Sequence, residues 1–142
     1  LDGSDLSETA IDPGLALADL FGAETTLVRV VEYPHATESV YLPDAIAQIQ
    51  EQLDQSREAT HAELDQVAAR LLAEGREVGR ESRVVNHAAS GILEALGDIG
   101  ADVIVMASHG RGGLGRAVLG SVADKVLRGS ERPVMIVRAS EI

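Results

Sequence analysis

One stretch constrains this chain more than any other. Val103-Ile104-Val105-Met106 is a short apolar run bounded by small residues, the pattern of a strand buried on both faces. It opens into a polar, glycine-dense segment, Ala107-Ser108-His109-Gly110-Arg111-Gly112-Gly113-Leu114-Gly115-Arg116-Ala117-Val118-Leu119. Gly120-Ser121 then leads into Val122-Ala123-Asp124-Lys125-Val126-Leu127, which reads as a helix. Strand, glycine loop, helix start is the arrangement that turns backbone N–H groups toward a phosphate. Glycine permits positive φ there and lets an anion approach with no Cβ in the way. Ser121 adds a hydroxyl at the helix entrance, as N-cap or as phosphate donor. Arg111 and Arg116 put two positive charges into this loop although the chain carries a net charge of −11. Glycine-rich surface loops with solvated arginines are common as well, but a phosphate cradle accounts for all of these features together.

Composition narrows the classes. The 142 residues suit a single domain, expected over 1–142, that is long enough to bury a core. With no cysteine, disulfides and thiolate metal sites are excluded, and a cytoplasmic location is expected. No apolar run approaches the ~20 residues of a membrane span, and no signal peptide is expected. The acidic balance argues against nonspecific nucleic-acid binding and against adhesion to anionic membranes. Only Phe21, Tyr33 and Tyr41 are aromatic, which leaves little for stacking on bases. The core must therefore be Val, Leu, Ile and Ala, and this favours an α/β protein.

The chain opens with Leu1-Asp2-Gly3-Ser4-Asp5, which reads as the end of a strand turning into a helix, with Ser4, Asp5 and Ser7 as candidate caps. The apolar strand itself is represented by Leu1 alone, so a shortened chain or one half of a tandem protein is expected. A helix over 7–20 follows, with a kink or late start at Pro13-Gly14 and a stop at Gly22. Thr25 to Val31 is a β-branched strand. After a polar connection between Pro34 and Pro43, Asp44 begins a long helix to Glu74. Its apolar positions are Ile46, Ile49, Leu53, Leu64, Val67, Leu71 and Leu72, and its polar stretch 54–63 is expected to be solvated or broken. Glu77 to Val85 makes an edge strand, Ala88 to Ile99 a helix closed by Gly100, and Pro133 to Arg138 the last strand. Strands alternating with helices long enough for parallel crossovers predict an open, doubly wound parallel sheet of five strands, its first strand largely missing. Ligands of such sheets sit at the carboxyl ends of the strands, where Asp2, Val30 and the loop after Met106 all lie.

Ala107-Ser108-His109-Gly110, nine residues, then Gly120-Ser121 resembles the nucleotide-binding signature of the universal stress protein family. That signature runs Gly, two residues, Gly, nine residues, Gly, then Ser or Thr. Gly110, Gly120 and Ser121 match it, while Ala107 stands where the family has its first glycine. The likeness extends from Leu1-Asp2-Gly3-Ser4 to the terminal Arg132-Pro133-Val134-Met135-Ile136-Val137-Arg138. It implies a Rossmann-like fold of the adenine nucleotide alpha hydrolase kind. It also implies ATP as ligand, with or without Mg²⁺, held by Leu1, Asp2, Val30, Met106, Ala107, His109, Gly110, Arg111, Gly113, Gly120, Ser121 and Val122. Asp2 would contact the nucleoside end, and Val30 would lie against the adenine. Read from the residues alone, Asp2 is equally an Asx-turn or helix-capping residue, and Val30 a core valine. The resemblance further implies a homodimer through the last strand, Val134, Met135, Ile136 and Val137. An apolar strand at a sheet edge independently invites pairing.

Rival chemistries fare worse. Gly110-Arg111-Gly112-Gly113-Leu114-Gly115 matches the dinucleotide fingerprint, but it lies near the C-terminus and the following strand ends in Arg138 rather than an acidic residue. The same glycines have P-loop spacing, yet Arg116-Ala117 replace the Lys and Ser/Thr that phosphoryl transfer uses. Ser108 and His109 are adjacent, which does not align a nucleophile with its base, and there is no Gly-x-Ser-x-Gly elbow. His35, His61, His87 and His109 show no ligand spacing, so no metal site is expected, and His109 reads as a hydrogen-bonding loop residue near phosphates. The expected protein is thus an ATP-binding stress-response switch with no catalytic residues and at most slow hydrolysis. The alternative is a dimeric adaptor of the same fold that binds no nucleotide, which the Ala107 departure keeps open.

Overall fold

The computed structural model describes residues 1–33, 43–109 and 119–138. Nine elements alternate along the chain as an α/β protein. Helices are α1 (Asp5–Glu8), α2 (Ile11–Phe21), α3 (Pro43–Ala73), α4 (Ala88–Ile99) and α5 (Ser121–Gly129), and strands are β1 (Thr26–Glu32), β2 (Gly79–Val85), β3 (Ile104–Ala107) and β4 (Val134–Val137). The strands form two parallel ribbons, β1–β2 and β3–β4, with Thr26 opposite Gly79 in one and Ile104 opposite Val134 in the other. Between the ribbons lies the chain's start: the Leu1 amine donates to the Val28 carbonyl at 2.7 Å, while α1 packs on β3.

The helix expected over 7–20 is two helices. Ser4 caps α1, accepting from the Ser7 N–H through its side chain, and the chain breaks at Thr9-Ala10 before α2 begins. Of the kink or late start expected at Pro13-Gly14, α2 shows a late start at Ile11, which puts Pro13 in the first turn, where a missing N–H has no intrahelical acceptor to lose. Gly22, at φ 60°, ends α2 in the left-handed region as expected.

α3 is unbroken through 54–63, contrary to one of the two expectations. No Gly or Pro interrupts it, and its polar side chains find partners on the ribbon: Glu63 pairs with Arg29, Asp65 with Arg80, and His61 with Ser82. The main core joins Ile11, Leu15, Leu27, Leu64, Val67 and Leu71, with Leu64 and Leu71 each 2% exposed. Leu72 is 62% exposed and Ile46 48%, so neither belongs to that core. Leu72 lies one residue past Leu71 and is therefore rotated by about 100° from it, while Ile46 lies about five turns upstream of Leu64.

Strand alternation distributes these layers. Leu27 and Arg29 face α3, whereas Val30 and Val85 face α4, where they lie against Gly91. A Cβ on Gly91 would come within 2.9 Å of their methyls, so the absence of a side chain sets the helix–ribbon distance. The Glu32 carboxylate accepts from the Ala88 N–H at 2.8 Å and caps α4 from the end of β1. On the second ribbon, Val105 packs against Gly14 of α2, and α5 lies against β4 and α4.

Candidate functional site

The end of β3 and the start of α5 are stitched together by backbone. The Ser108 N–H donates to the Val137 carbonyl at 2.7 Å, and the Gly120 N–H donates to the Ser108 carbonyl at 2.8 Å. This seam brings Met106, Ala107 and His109 to the same place as Gly120, Ser121 and Val122. Gly120 has φ −59° and ψ 150°, which any residue can adopt, so its glycine answers to space and not to backbone freedom. A Cβ there would stand 3.0 Å from the Ser108 oxygen.

Gly120, and not Ser121, is the N-cap of α5, which corrects one of the two roles offered for Ser121. Ser121 occupies the first helical position and is exposed, and among the described residues no side chain caps the helix. The first-turn N–H groups of a helix have no intrahelical acceptors and carry the positive end of its dipole. In α5 they open beside His109. The Nδ1 of His109 lies 3.0 Å from its neighbour's Ser108 Oγ. Its Nε2 is buried and, among the described residues, has no hydrogen-bond partner. A buried imidazole nitrogen left so costs about 1–3 kcal/mol, which an acceptor or donor at that point would recover.

Ala107 is buried, on the face of β3 that carries Val105, so its methyl lies in the packing against the first helices. Met106 is half-buried. Gly110, Arg111 and Gly113, with Arg116, lie outside the described residues.

Asp2 shows the local role that its residue type allows. Its Oδ1 accepts from the Ser4 N–H at 3.0 Å and from the Ser4 hydroxyl, which fixes the turn into α1. Burial lowers the Leu1 ammonium below its ordinary value, with Asp2 opposing that shift. Leu1 is held on β1 at Val28, and Val30 follows two residues along that strand with its side chain against Gly91. Leu1 thus lies beside the middle of β1, with Asp2 in the turn that follows it, and the β3–α5 seam forms a second group. Ser108 is the site residue absent from the sequence-derived set. Its signal was adjacency to His109, but its carbonyl contact with Gly120 joins residues twelve apart and leaves no trace in local pattern.

A model of the universal stress protein family matches residues 1–138. The chain belongs to that family. The universal stress protein YxiE of Bacillus subtilis is 30% identical over 146 residues, covering 97% of this chain and 95% of its own length. The solved structure of UspA from Lactobacillus plantarum superposes with a TM-score of 0.80 at 19% identity, covering 97% of this chain and 93% of that one. A universal stress protein solved in complex with cAMP matches with a TM-score of 0.56 at 25% identity, covering 99% of this chain and 93% of that one. Among the described residues of this family member, no helix is long and apolar enough to cross a membrane.

Proposed function

We propose that this chain binds an adenine nucleotide, with ATP as the preferred ligand, and acts as a stress-response switch whose hydrolysis is slow. The observation that carries the reading is the seam of β3 and α5, where, among the described residues, a helix N-terminus with no side-chain cap opens beside a His109 Nε2 with no hydrogen-bond partner. Phosphates would rest on the α5 N–H groups, Ser121 and His109, together with Gly110, Arg111 and Gly113, and Mg²⁺ would travel with them. The nucleoside would extend to Asp2 and Val30 at the other ribbon. The solved cAMP complex of a relative supports adenine-nucleotide chemistry for this fold. Burial of the Ala107 methyl supports the nucleotide reading over the adaptor one, since that methyl occupies core and not the approach to the loop.

The same reading makes the two ribbons the outer pairs of one five-stranded parallel sheet, with Leu1 where the central strand ends. It also makes the protein a cytoplasmic homodimer through β4. Without a P-loop lysine or an aligned base, turnover should take minutes or longer per ATP, against about 1–100 s⁻¹ for kinases.

Calorimetry with ATP tests the site. Ser121→Ala removes one exposed donor and should weaken binding by about 0.5–1.5 kcal/mol with no loss of fold. Asp2→Ala should weaken ATP while leaving inorganic triphosphate unaffected. ATP affinity equal to the parent's in both variants would overturn the assignment.

A further inference from the structure

The polar part of α3 has a use that nucleotide binding leaves untouched. Where it crosses the β1–β2 ribbon, on the face opposite α4, it roofs a recess of about 180 Å³. Val31 and Val84, directly opposed in register, supply apolar lining. Arg57, Thr60 and His61 descend from α3 at the three- and four-residue spacing of one helix face, and Ser82 rises from β2. The Ser82 Oγ lies 3.0 Å from His61 Nε2 and 3.4 Å from Nδ1, so strand and helix hold these two groups together.

The charges here are one-sided in a chain of net charge −11. Among the described residues, no carboxylate lines the recess. Two acids farther along α3 are engaged elsewhere, Glu63 by Arg29 and Asp65 by Arg80. Arg83 also contributes to the wall, but its guanidinium is taken by Asp98 at 2.8 Å and Glu81 at 2.9 Å. Arg57 is different: its one acid, Asp54, stands 3.7 Å away, too far for a hydrogen bond, and both side chains are more than half exposed. A guanidinium fork, an imidazole and a hydroxyl therefore converge over apolar residues with little neutralisation.

We propose that this recess binds a small oxyanion of the phosphate class, free or as a monoester. Arg57 presents paired N–H donors, Ser82 donates its hydroxyl, and His61 adds an N–H on the opposite wall. The site stands apart from the β3–α5 seam, so it holds or fails independently of the nucleotide reading.

Amide NMR of the intact chain during titration with inorganic phosphate tests it. Expected are saturable shifts at His61, Ser82 and Val84 with a dissociation constant of about 1–10 mM. Arg57→Gln and His61→Gln should each weaken binding about threefold to fivefold, the range for exposed charge pairs, with ATP affinity unchanged. Phosphoserine run in parallel separates the sources, because tighter binding than phosphate identifies a monoester and equal binding identifies the free anion. Shifts confined to Ser121, Val122 and Ala123 would overturn the proposal while leaving the nucleotide site standing. Absence of saturable shifts, or shifts retained at full strength in the double variant, would overturn it too.

Discussion

Two glycines act here by what they lack, and each does so for a reason visible only in its neighbours. Gly91 admits the methyls of Val30 and Val85, whereas Gly97, in the same helix, has nothing within 4 Å of where its Cβ would stand. Gly91→Ala should therefore destabilise by about 1–3 kcal/mol through overpacking. Gly97→Ala should stabilise by about 0.5–1 kcal/mol, because alanine removes unfolded-state freedom and meets no clash. Urea unfolding of the two variants checks this, and a loss for both would mean that α4 tolerates no side chain at either position. Gly120 belongs with Gly91. Its Cβ would press on the Ser108 carbonyl, so Gly120→Val alters the seam as well as any ligand's approach. This is why Ser121→Ala is the cleaner probe of binding.

Among elements, α3 separates pattern from packing most clearly. Its 31 residues carry apolar side chains along much of their length, yet among the described residues it gives the buried core Leu64, Val67 and Leu71, with Ala68 packed against them. Leu64→Ala should cost about 2–5 kcal/mol, the range for a leucine truncated in a packed interior. Leu72→Ala should change stability by less than about 0.5 kcal/mol, as for other exposed positions. Equal losses in chemical denaturation would place Leu72 in an interface that burial within one chain does not show. The rest of α3 meets the ribbon through ion pairs and the His61–Ser82 contact. Arg70, bonded to Glu8 at 2.7 Å, has its already high pKa raised further by that bond. Such exposed pairs position the helix more than they stabilise it.

For the molecule as a whole, β4 ends the second ribbon with Met135 38% exposed, the arrangement that a second copy would cover. Met135→Pro removes a ladder donor, and light scattering should then report half the parent's mass if β4 is the dimer strand. An unchanged mass in folded protein would remove β4 from the interface.

The order of elements was legible because period and punctuation are local: β-branched runs at 25–31 and 103–106, and stops at Gly22, Gly75 and Gly100. The strand before Ser108 and the helix after Gly120 were legible for the same reason, while the glycine-rich segment 110–118 between them lies outside the described residues. Pairing was not local. The amino-acid order alone did not decide that helix 7–20 would divide at Thr9-Ala10, or that Ile46 and Leu72 would stay exposed. Nor did it place Gly120 against the Ser108 carbonyl or Ser82 beside His61, and each of these two contacts depends on segments distant in sequence meeting. Local pattern determines which elements form, and only tertiary packing decides which of their atoms meet.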